Sequence, residues 1–202
     1  MKVVVASMNA DKLAELRELL DLPGVTFVSL RDVPGAIAPE EHGETLAENA
    51  RIKAGAAARL SGLPAIADDT GLEVDALGGR PGVHAARYAG PGASYARNVT
   101  KLLGELAGVP AGRRQARFRT VCVACLPDGR EVVAEGVLEG RITERPRGES
   151  GFGYDPVFEL TGLGRTLAEL FAAEKNALSH RALAVRNLKP ALQELLGKPD
   201  TA

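Results

Sequence analysis

Leu63-Pro64-Ala65-Ile66-Ala67-Asp68-Asp69-Thr70-Gly71 is the stretch of sequence that decides the fold of this chain. Its short apolar run, Ala65 to Ala67, predicts a buried strand, and two adjacent carboxylates follow that run. Because side chains alternate along a strand, we expect one carboxylate to face inward and the other to point into a cleft at the strand end. Ligands of α/β sheets bind at such strand ends. A simple Asp-Asp-Thr-Gly turn is the structural alternative.

The composition is typical of a globular protein with a substantial core. Of the 202 residues, 45% are hydrophobic and 25% are charged, which fits one domain with room for two lobes. The formal net charge of -1 argues against a nucleic-acid or membrane-surface partner. The amino terminus enters a strand pattern without a signal peptide, and no apolar run reaches membrane-spanning length. We therefore expect a cytoplasmic protein.

The two cysteines, Cys122 and Cys125, lie three residues apart in a strong strand pattern over 116–126. Side chains three residues apart on a strand point to opposite faces of the sheet. The pattern therefore predicts two separate core thiols, and neither a redox pair nor a zinc site is expected.

The first strand, expected over 2–6, leads directly into the start of a helix. The connecting residues are Ser7, Met8, Asn9, Ala10, Asp11 and Lys12. The amino terminus of a helix that follows a strand is a natural phosphate site, and Lys12 has the length to reach a bound anion. Asn9 and Asp11 also suit helix capping. The stretch is not a Walker A loop, since the sequence has no G-x-x-x-x-G-K-[ST] pattern.

An acidic loop precedes the second helix pattern. The loop contains Glu40 and Glu41, and the helix pattern runs over 45–60 from a Thr-x-x-Glu capping box. Lys53, inside this helix, either is exposed or leans toward the two adjacent aspartates.

Further strand patterns cover 25–28, 72–77, 116–126 and 131–142, and helix patterns cover 94–106, 166–171 and the residues after Ser179.

A glycine-rich loop carries two of the few aromatic residues. It reads Gly148-Glu149-Ser150-Gly151-Phe152-Gly153-Tyr154-Asp155-Pro156, in a chain with 4% aromatic residues. This pattern fits a packed Ω-loop and a stacking surface for a nucleobase equally well. Downstream of Lys175, the last helix carries His180 and Arg181 in its first turn. Positive charge there opposes the helix dipole, which indicates an anion or another acceptor nearby.

Together these features suit a site for a nucleoside triphosphate with Mg²⁺. The helix start with Lys12 offers phosphate contacts, and the glycine-rich loop offers rings for a base. Mg²⁺ takes one or two carboxylates together with phosphate oxygens, which Asp69 and either Glu40 or Glu41 can supply. We expect Phe152 or Tyr154 to stack on the base.

A series of ordered motifs extends over nearly the whole length of the chain. They are Ser7-x-Asn9-x-x-Lys12, Glu40-Glu41-x-Gly43-x-Thr45, Glu48-Asn49-Ala50, Lys53-Ala54, Ala67-Asp68-Asp69-Thr70-Gly71-Leu72, Gly78-Gly79-x-Pro81-Gly82, Ala86-Arg87-Tyr88, Gly151-Phe152-Gly153-Tyr154-Asp155-Pro156 and Ser179-His180-Arg181. On these motifs the chain resembles the inosine/xanthosine triphosphate pyrophosphatase (Ham1-like) family. Two departures are mild: Ser7 stands where many members have Thr, and residues 83–85 vary a loop.

The resemblance implies an α/β fold with an elongated, two-lobed shape, in which a central mixed sheet is flanked by helices and the active-site cleft lies between the lobes. It implies one domain over 1–202, a homodimer, and hydrolysis of ITP, dITP and XTP to the monophosphate and pyrophosphate. Two alternatives are a Maf-like pyrophosphatase for modified nucleotides and a non-catalytic nucleotide-binding protein. The Phe152 loop argues against the first, and the intact acidic and basic residues argue against the second.

The resemblance also implies a role for each matched residue. Asp69 is expected to act as base and Mg²⁺ ligand, with Asp68 and Lys53 as further catalytic residues and Glu40 or Glu41 as a second metal ligand. The triphosphate is expected to contact the residues from 7 to 12, namely Ser7, Met8, Asn9, Ala10, Asp11 and Lys12. The remaining substrate contacts are expected from Thr70, Phe152, Gly153, Tyr154, Asp155, Lys175, His180 and Arg181. For the 6-keto purines that the resemblance implies as substrates, Arg181 or a backbone amide of the Phe152 loop is expected to donate a hydrogen bond to the keto oxygen.

Overall fold

The computed structural model describes residues 1–197 as a mixed α/β fold, with a central mixed sheet flanked by helices. The strands are β1 (Lys2–Val5), β2 (Thr26–Ser29), β3 (Ala65–Val74), β4 (Pro81–Gly82), β5 (Gln115–Cys125), β6 (Glu131–Ile142) and β7 (Phe158–Leu160). The α-helices are α1 (Ala10–Leu19), α2 (Leu46–Ser61), α3 (Tyr95–Glu105), α4 (Ala172–Leu178) and α5 (His180–Leu195).

The sheet combines parallel and antiparallel pairs in the order β2-β1-β3-β5-β6-β7, with β4 beside β3. Strand β1 is parallel to both β2 and β3, whereas β3 with β4 and β6 with β7 are antiparallel. Parallel neighbours need a crossover connection, and α1 and α2 supply the two crossovers around β1. The predicted α/β class is confirmed.

The chain divides into two compact units. The first comprises 1–69, 120–136 and the residues from 181 onward, and the second comprises 70–119 and 137–180. Strands β3, β5 and β6 contribute residues to both units. The expectation of one domain over 1–202 stays a prediction.

The core of the first unit is formed by apolar residues of α1, α5 and the strands. Its buried members are Val5, Leu13, Leu16, Leu20, Leu22, Ile66, Cys122, Ala124, Ala184, Val185, Leu188 and Leu192. Burying each leucine contributes about 1.5–3 kcal/mol relative to leaving it exposed. Both cysteines are buried and free, as the strand pattern predicts.

The second unit has its own core around the other ends of the long strands. Its buried members are Leu72, Val74, Ala85, Val99, Leu102, Leu106, Ala116, Phe118, Ile142, Tyr154, Val157, Phe158, Leu160, Leu167 and Leu170. Among residues 1–197, none of the helices is both long and apolar enough to cross a bilayer.

Strand β3 continues further than the sequence pattern predicts. The expected strand stopped at the Thr70-Gly71 pair, but the observed strand runs unbroken through that pair to Val74. The reason is long-range: Leu72 pairs with Gly82 of β4, and the side chains of Leu72 and Val74 are wholly buried. Asp68 and Asp69 therefore lie in the middle of a strand. Of the strand that was expected over 72–77, residues 72–74 are the final part of β3, and Asp75–Leu77 form a 3-10 turn instead.

The region 166–178 also differs from expectation. Instead of a helix over 166–171, a single 3-10 turn spans Leu167–Glu169, and the Glu169 carboxylate caps its start by accepting from the Thr166 backbone N–H at 2.7 Å. The turn does not continue as a helix because Leu170 is extended and Phe171, also extended, is the N-cap of the next helix. The short helix α4 follows, although no helix was predicted there. The predicted bounds of α2 agree with the structure within one residue, including its capping box between Thr45 and Glu48.

Candidate active site

The two adjacent aspartates of β3 contact different helices. Asp68 lies 3.3 Å from Lys12 of α1 and accepts two hydrogen bonds from Arg181 of α5, whereas Asp69 contacts Lys53 of α2. Both carboxylates are almost fully buried, with 2% and 6% of each residue exposed. Side-chain alternation along β3 explains this divergence. The expectation that one of the two carboxylates points into a cleft stays a prediction.

The Asp68 carboxylate is held in its ionised form. Burial alone would raise its pKa, but the positive charges of Lys12, Arg181 and Lys53 outweigh burial and hold the pKa of Asp68 well below its usual range. Arg181 is itself 2% exposed, and its guanidinium also donates to the carboxylate of Glu15 on α1. The acceptors that the sequence pattern indicated for this cation are thus two carboxylates of the same chain.

Lys53 leans toward the aspartates, which was one of the two expected orientations. Its ammonium lies 2.9 Å from Asp69 Oδ1 and 3.3 Å from the carboxylate of Glu41. Burial would lower the pKa of Lys53, but the charges of Asp69, Asp68 and Glu41 outweigh it and raise that pKa. Lys53 is therefore a cation at neutral pH and stabilises negative charge in the site.

Asn49 is a site residue that the sequence-based candidate list omitted. It is wholly buried and donates from Nδ2 to Asp69 Oδ2 at 3.4 Å. The available signal was its spacing, because Asn49 and Lys53 are four residues apart and therefore share a helix face. An amide on an otherwise alanine-rich buried face needs a polar partner, and Asp69 is that partner.

The start of α1 is built by local hydrogen bonds. The Asn9 side chain accepts from the backbone N–H groups of Asp11 and Lys12 at 2.9 and 3.2 Å, so it caps the helix. Ser7 is buried, and its hydroxyl accepts from the Asn9 backbone N–H at 3.3 Å. Met8, Ala10 and Asp11 are exposed.

In the second unit, Asp155 organises the glycine-rich loop. Its Oδ2 accepts from the Phe152 backbone N–H at 2.8 Å and from Lys175 Nζ at 2.7 Å. Gly151 has a φ of +77°, and a Cβ there would collide with the Asp155 carboxylate, so this position requires glycine. The loop is therefore ordered by a buried ion pair.

The two rings of this loop have different environments. Phe152 is half-buried, with Lys175 Nζ 4.9 Å from its ring centroid and the Tyr95 ring 5.7 Å away. Tyr154 is 5% exposed, belongs to the core of the second unit, and donates from its hydroxyl to the Ala85 carbonyl at 2.9 Å. Of the two expected stacking rings, only Phe152 retains an accessible surface. The Tyr154 ring is enclosed because its loop folds back onto the core.

Three further candidates, His180, Thr70 and Gly153, belong to the second unit. His180 is 4% exposed and stacks on the Phe118 ring at 4.5 Å, which places it in the packing of the second unit. Thr70 and Gly153 are half-buried.

The donor chemistry of the first unit fits a hard divalent cation. Asp69 and Glu41 both approach the Lys53 ammonium, so their carboxylates are near one another. Glu40 and Glu41 are both exposed, and it is the contact with Lys53 that distinguishes Glu41. Within residues 1–197 no group of three or more His, Cys, Asp or Glu side chains is gathered into a ready metal site. Mg²⁺ does not need one, because it takes one or two carboxylates and completes its shell with water and phosphate oxygens.

Comparisons with known proteins identify relatives of this chain. A family model described as the Ham1 family matches residues 3–191. A dITP/XTP pyrophosphatase of Geobacillus kaustophilus is 50% identical over 196 residues, covering 97% of this chain and 96% of that protein. One from Methylococcus capsulatus is 53% identical over 198 residues, covering 97% and 98%. The structure of a HAM1 protein from Coxiella burnetii superposes with a TM-score of 0.84 at 43% identity, covering 96% of this chain and 99% of that one.

Proposed function

This chain belongs to the Ham1 family and hydrolyses non-canonical purine nucleoside triphosphates to the monophosphate and pyrophosphate, and we propose that the carboxylates of β3 carry out this reaction. The observation that carries the proposal is the Asp69–Lys53 pair at 2.9 Å, buried beside the Asp68–Lys12 pair. Two carboxylates and two cations, held by three different elements, suit a reaction in which positioning and electrostatics supply most of the catalysis.

In the proposed mechanism, a water molecule attacks the α-phosphorus and pyrophosphate departs. Asp69 accepts the proton of the water, which is the general-base role open to a carboxylate. Lys53 stays protonated and stabilises the negative charge that develops during the attack. Asp68 is ionised and orients Lys12, whose side chain keeps 17% of its surface exposed for contact with a phosphate.

We propose Mg²⁺ as the cofactor, held by Asp69 and Glu41, with Glu40 as the alternative second carboxylate. When bound, Mg²⁺ would neutralise charge on the triphosphate. Glu41 is preferred because its carboxylate lies 3.3 Å from the same ammonium that binds Asp69.

The residues that start α1 are proposed to hold the triphosphate. Backbone N–H groups at a helix amino terminus favour phosphate. The segment in question is Ser7, Met8, Asn9, Ala10, Asp11 and Lys12. Asn9 and Ser7 act by fixing the shape of this segment, since their side-chain oxygens accept local hydrogen bonds.

For the base, we propose that the Phe152 ring stacks on the purine. Stacking on an aromatic ring contributes about 1–3 kcal/mol whatever the base, so it supplies affinity rather than selection. Selection of a 6-keto purine is proposed to come from backbone N–H groups of the loop that Asp155 and Lys175 keep in shape, with Thr70 and Gly153 as further contacts. For His180 and Arg181 we propose a supporting role, through Phe118 and Asp68.

A homodimer and a cytoplasmic location complete the proposal. Both follow from the resemblance of the motifs to the pyrophosphatase family and from free nucleotides as substrates. Size-exclusion chromatography with light scattering tests the dimer directly. Neither a Maf-like activity nor a non-catalytic role has a specific observation in its favour.

The decisive assay measures pyrophosphate released from ITP, dITP, XTP, ATP and GTP, each with Mg²⁺ and with excess chelator. We expect release from the first three substrates, much less from the last two, and loss of activity in chelator. Release of single phosphates, or equal rates with ATP and ITP, would contradict the proposed reaction.

A further inference from the structure

Asn49 of α2 connects two parts of the first unit through one buried amide. Its Oδ1 accepts from the Gly43 backbone N–H at 2.8 Å, and its Nδ2 donates to Asp69 Oδ2 at 3.4 Å. Because a backbone N–H only donates and an ionised carboxylate only accepts, these partners fix the orientation of the amide. Leaving either end of this buried amide without its partner would be destabilising.

Asp69 receives one donor on each carboxylate oxygen. Lys53 Nζ binds Oδ1 at 2.9 Å, and the Asn49 amide faces Oδ2. The two donors come from one face of one helix, four residues apart. The rotation of the Asp69 carboxylate is therefore set by α2.

At Gly43 the acidic loop packs closely against the same helix, α2. A Cβ at this position would lie 2.7 Å from Asn49 Oδ1 and 2.7 Å from the Cβ of Glu48, so no larger residue fits without a shift of the backbone. The loop also carries Glu41, two residues earlier, whose carboxylate reaches Lys53 at 3.3 Å. The Gly43–Asn49 hydrogen bond therefore fixes the path of the loop that presents Glu41.

We infer that Asn49 is a positioning residue that holds the Asp69 carboxylate and the Glu41 loop in register, and that divalent-cation affinity depends on this amide. The inference rests on the proposed function, because Asp69 and Glu41 are its candidate metal ligands. Removing the amide frees one oxygen of Asp69 and releases the backbone of the loop at Gly43. Groups that orient metal-binding side chains typically account for about 10–100-fold in metal affinity or activity.

Asn98 of α3 provides a matched control. It is 2% exposed, and its amide also joins a helix to a loop, accepting from the Ala89 N–H at 2.8 Å and donating to the Ala86 carbonyl at 3.0 Å. Both of these bonds go to backbone atoms and neither goes to a carboxylate. Asn98→Ala therefore removes a comparable buried amide without touching the proposed metal ligands.

The test compares the full-length wild type with Asn49→Ala, Gly43→Ala and Asn98→Ala. Mn²⁺ binding without nucleotide is followed by electron paramagnetic resonance, kcat and KM are measured for ITP, and unfolding is followed by circular dichroism. We expect Asn49→Ala and Gly43→Ala to weaken Mn²⁺ binding and to lower kcat by about 10–100-fold, with KM changed less than about threefold. Asn98→Ala should lower the melting temperature but leave Mn²⁺ binding and kcat near wild type.

Equal Mn²⁺ affinity and kcat in Asn49→Ala and Asn98→Ala would overturn the inference, as would a rise in KM alone. Gly43→Ala keeps the test valid if Asn49→Ala fails to fold, because it disturbs the same contact without removing the amide. A wild-type enzyme that releases no pyrophosphate from ITP would contradict the proposed function instead, so the two failures are distinguishable.

Discussion

Arg181 donates two hydrogen bonds to a single oxygen, Oδ2 of Asp68, one from Nε and one from Nη2, each 3.1 Å long. This pairing changes the role expected for Arg181, which the sequence pattern offered as a donor to the base. Arg181 is 2% exposed, and its guanidinium also donates to the carboxylate of Glu15. These buried contacts link α5 to β3 and α1 and stabilise the folded first unit.

We predict that Arg181→Ala lowers ITP and ATP hydrolysis by the same factor and destabilises the protein. Removing one partner of a buried ion pair costs about 3–5 kcal/mol, because the remaining charge stays buried. The measurements are kcat/KM for both nucleotides and the free energy of unfolding in urea. A selective loss of ITP hydrolysis would show instead that Arg181 reads the base.

Asp69→Asn should remove nearly all turnover while the protein still folds. The substitution abolishes the proton acceptor and a metal-binding oxygen, and loss of general-base catalysis alone costs about 10²–10⁴-fold. Single-turnover rates of pyrophosphate release give the comparison. Asp75→Asn is the control, since the Asp75 side chain is 52% exposed and pairs with Arg117 at 2.7 Å. Turnover of Asp69→Asn within a few-fold of the control would refute the assignment.

Phe152→Ala should raise KM for ITP and XTP together. Loss of a stacking contact worth about 1–3 kcal/mol corresponds to about 5–150-fold in affinity. Phe171→Ala controls for loss of an aromatic residue, because Phe171 is 78% exposed. If the two variants have the same KM for ITP, the purine does not stack on Phe152.

Gly151→Ala should impair substrate binding more than Gly153→Ala. Both glycines have a positive φ, at +77° and +65°, so both substitutions carry similar backbone strain. Only at position 151 does the new Cβ meet the Asp155 carboxylate, whereas no described atom lies within 4 Å of a Cβ at position 153. The readout is KM for ITP beside the melting temperature of each variant. Equal KM values would mean that the Asp155 contact does not shape the binding loop.

In Tyr88→Phe, the free energy of unfolding should fall less steeply with rising alkaline pH than in the wild type. Burial, together with the hydrogen bond that its hydroxyl donates to Glu105 at 2.6 Å, raises the pKa of Tyr88 to about 12. A tyrosine in the unfolded chain titrates near 10, so the stabilising contribution is complete below about pH 10 and is lost as the pH rises toward about 12. Urea unfolding measured in steps over this window gives the slope. Identical slopes for wild type and Tyr88→Phe would contradict the prediction.

Local sequence patterns were sufficient wherever the cause of the structure is local. The capping box of α2 predicts its start because the interacting groups are three residues apart. The alternation of Asp68 and Asp69 follows from strand geometry alone. The sequence left two orientations open for the Lys53 side chain, because its orientation depends on Asp69, which lies 16 residues away in another element.

The remaining differences arise from contacts between distant residues. Strand β3 continues past Gly71 because β4 pairs with it, and the sequence around Gly71 contains no sign of that partner. The enclosure of Tyr154 depends on the Ala85 carbonyl, 69 residues away. The acceptors of Arg181 lie 113 and 166 residues away, so a charge at a helix start could indicate that an acceptor exists but not which one.

The two cysteine thiols of this enzyme are buried and have raised pKa values. Cys122 lies in the core of the first unit, where burial and the nearby Asp68 charge raise its pKa, and burial also raises the pKa of Cys125. Thiolates are the forms attacked by oxidants and nitrosating agents, so both sulfurs are protected while the protein is folded. We therefore expect reagents that act on thiolates to leave Cys122 and Cys125 unmodified in the folded enzyme.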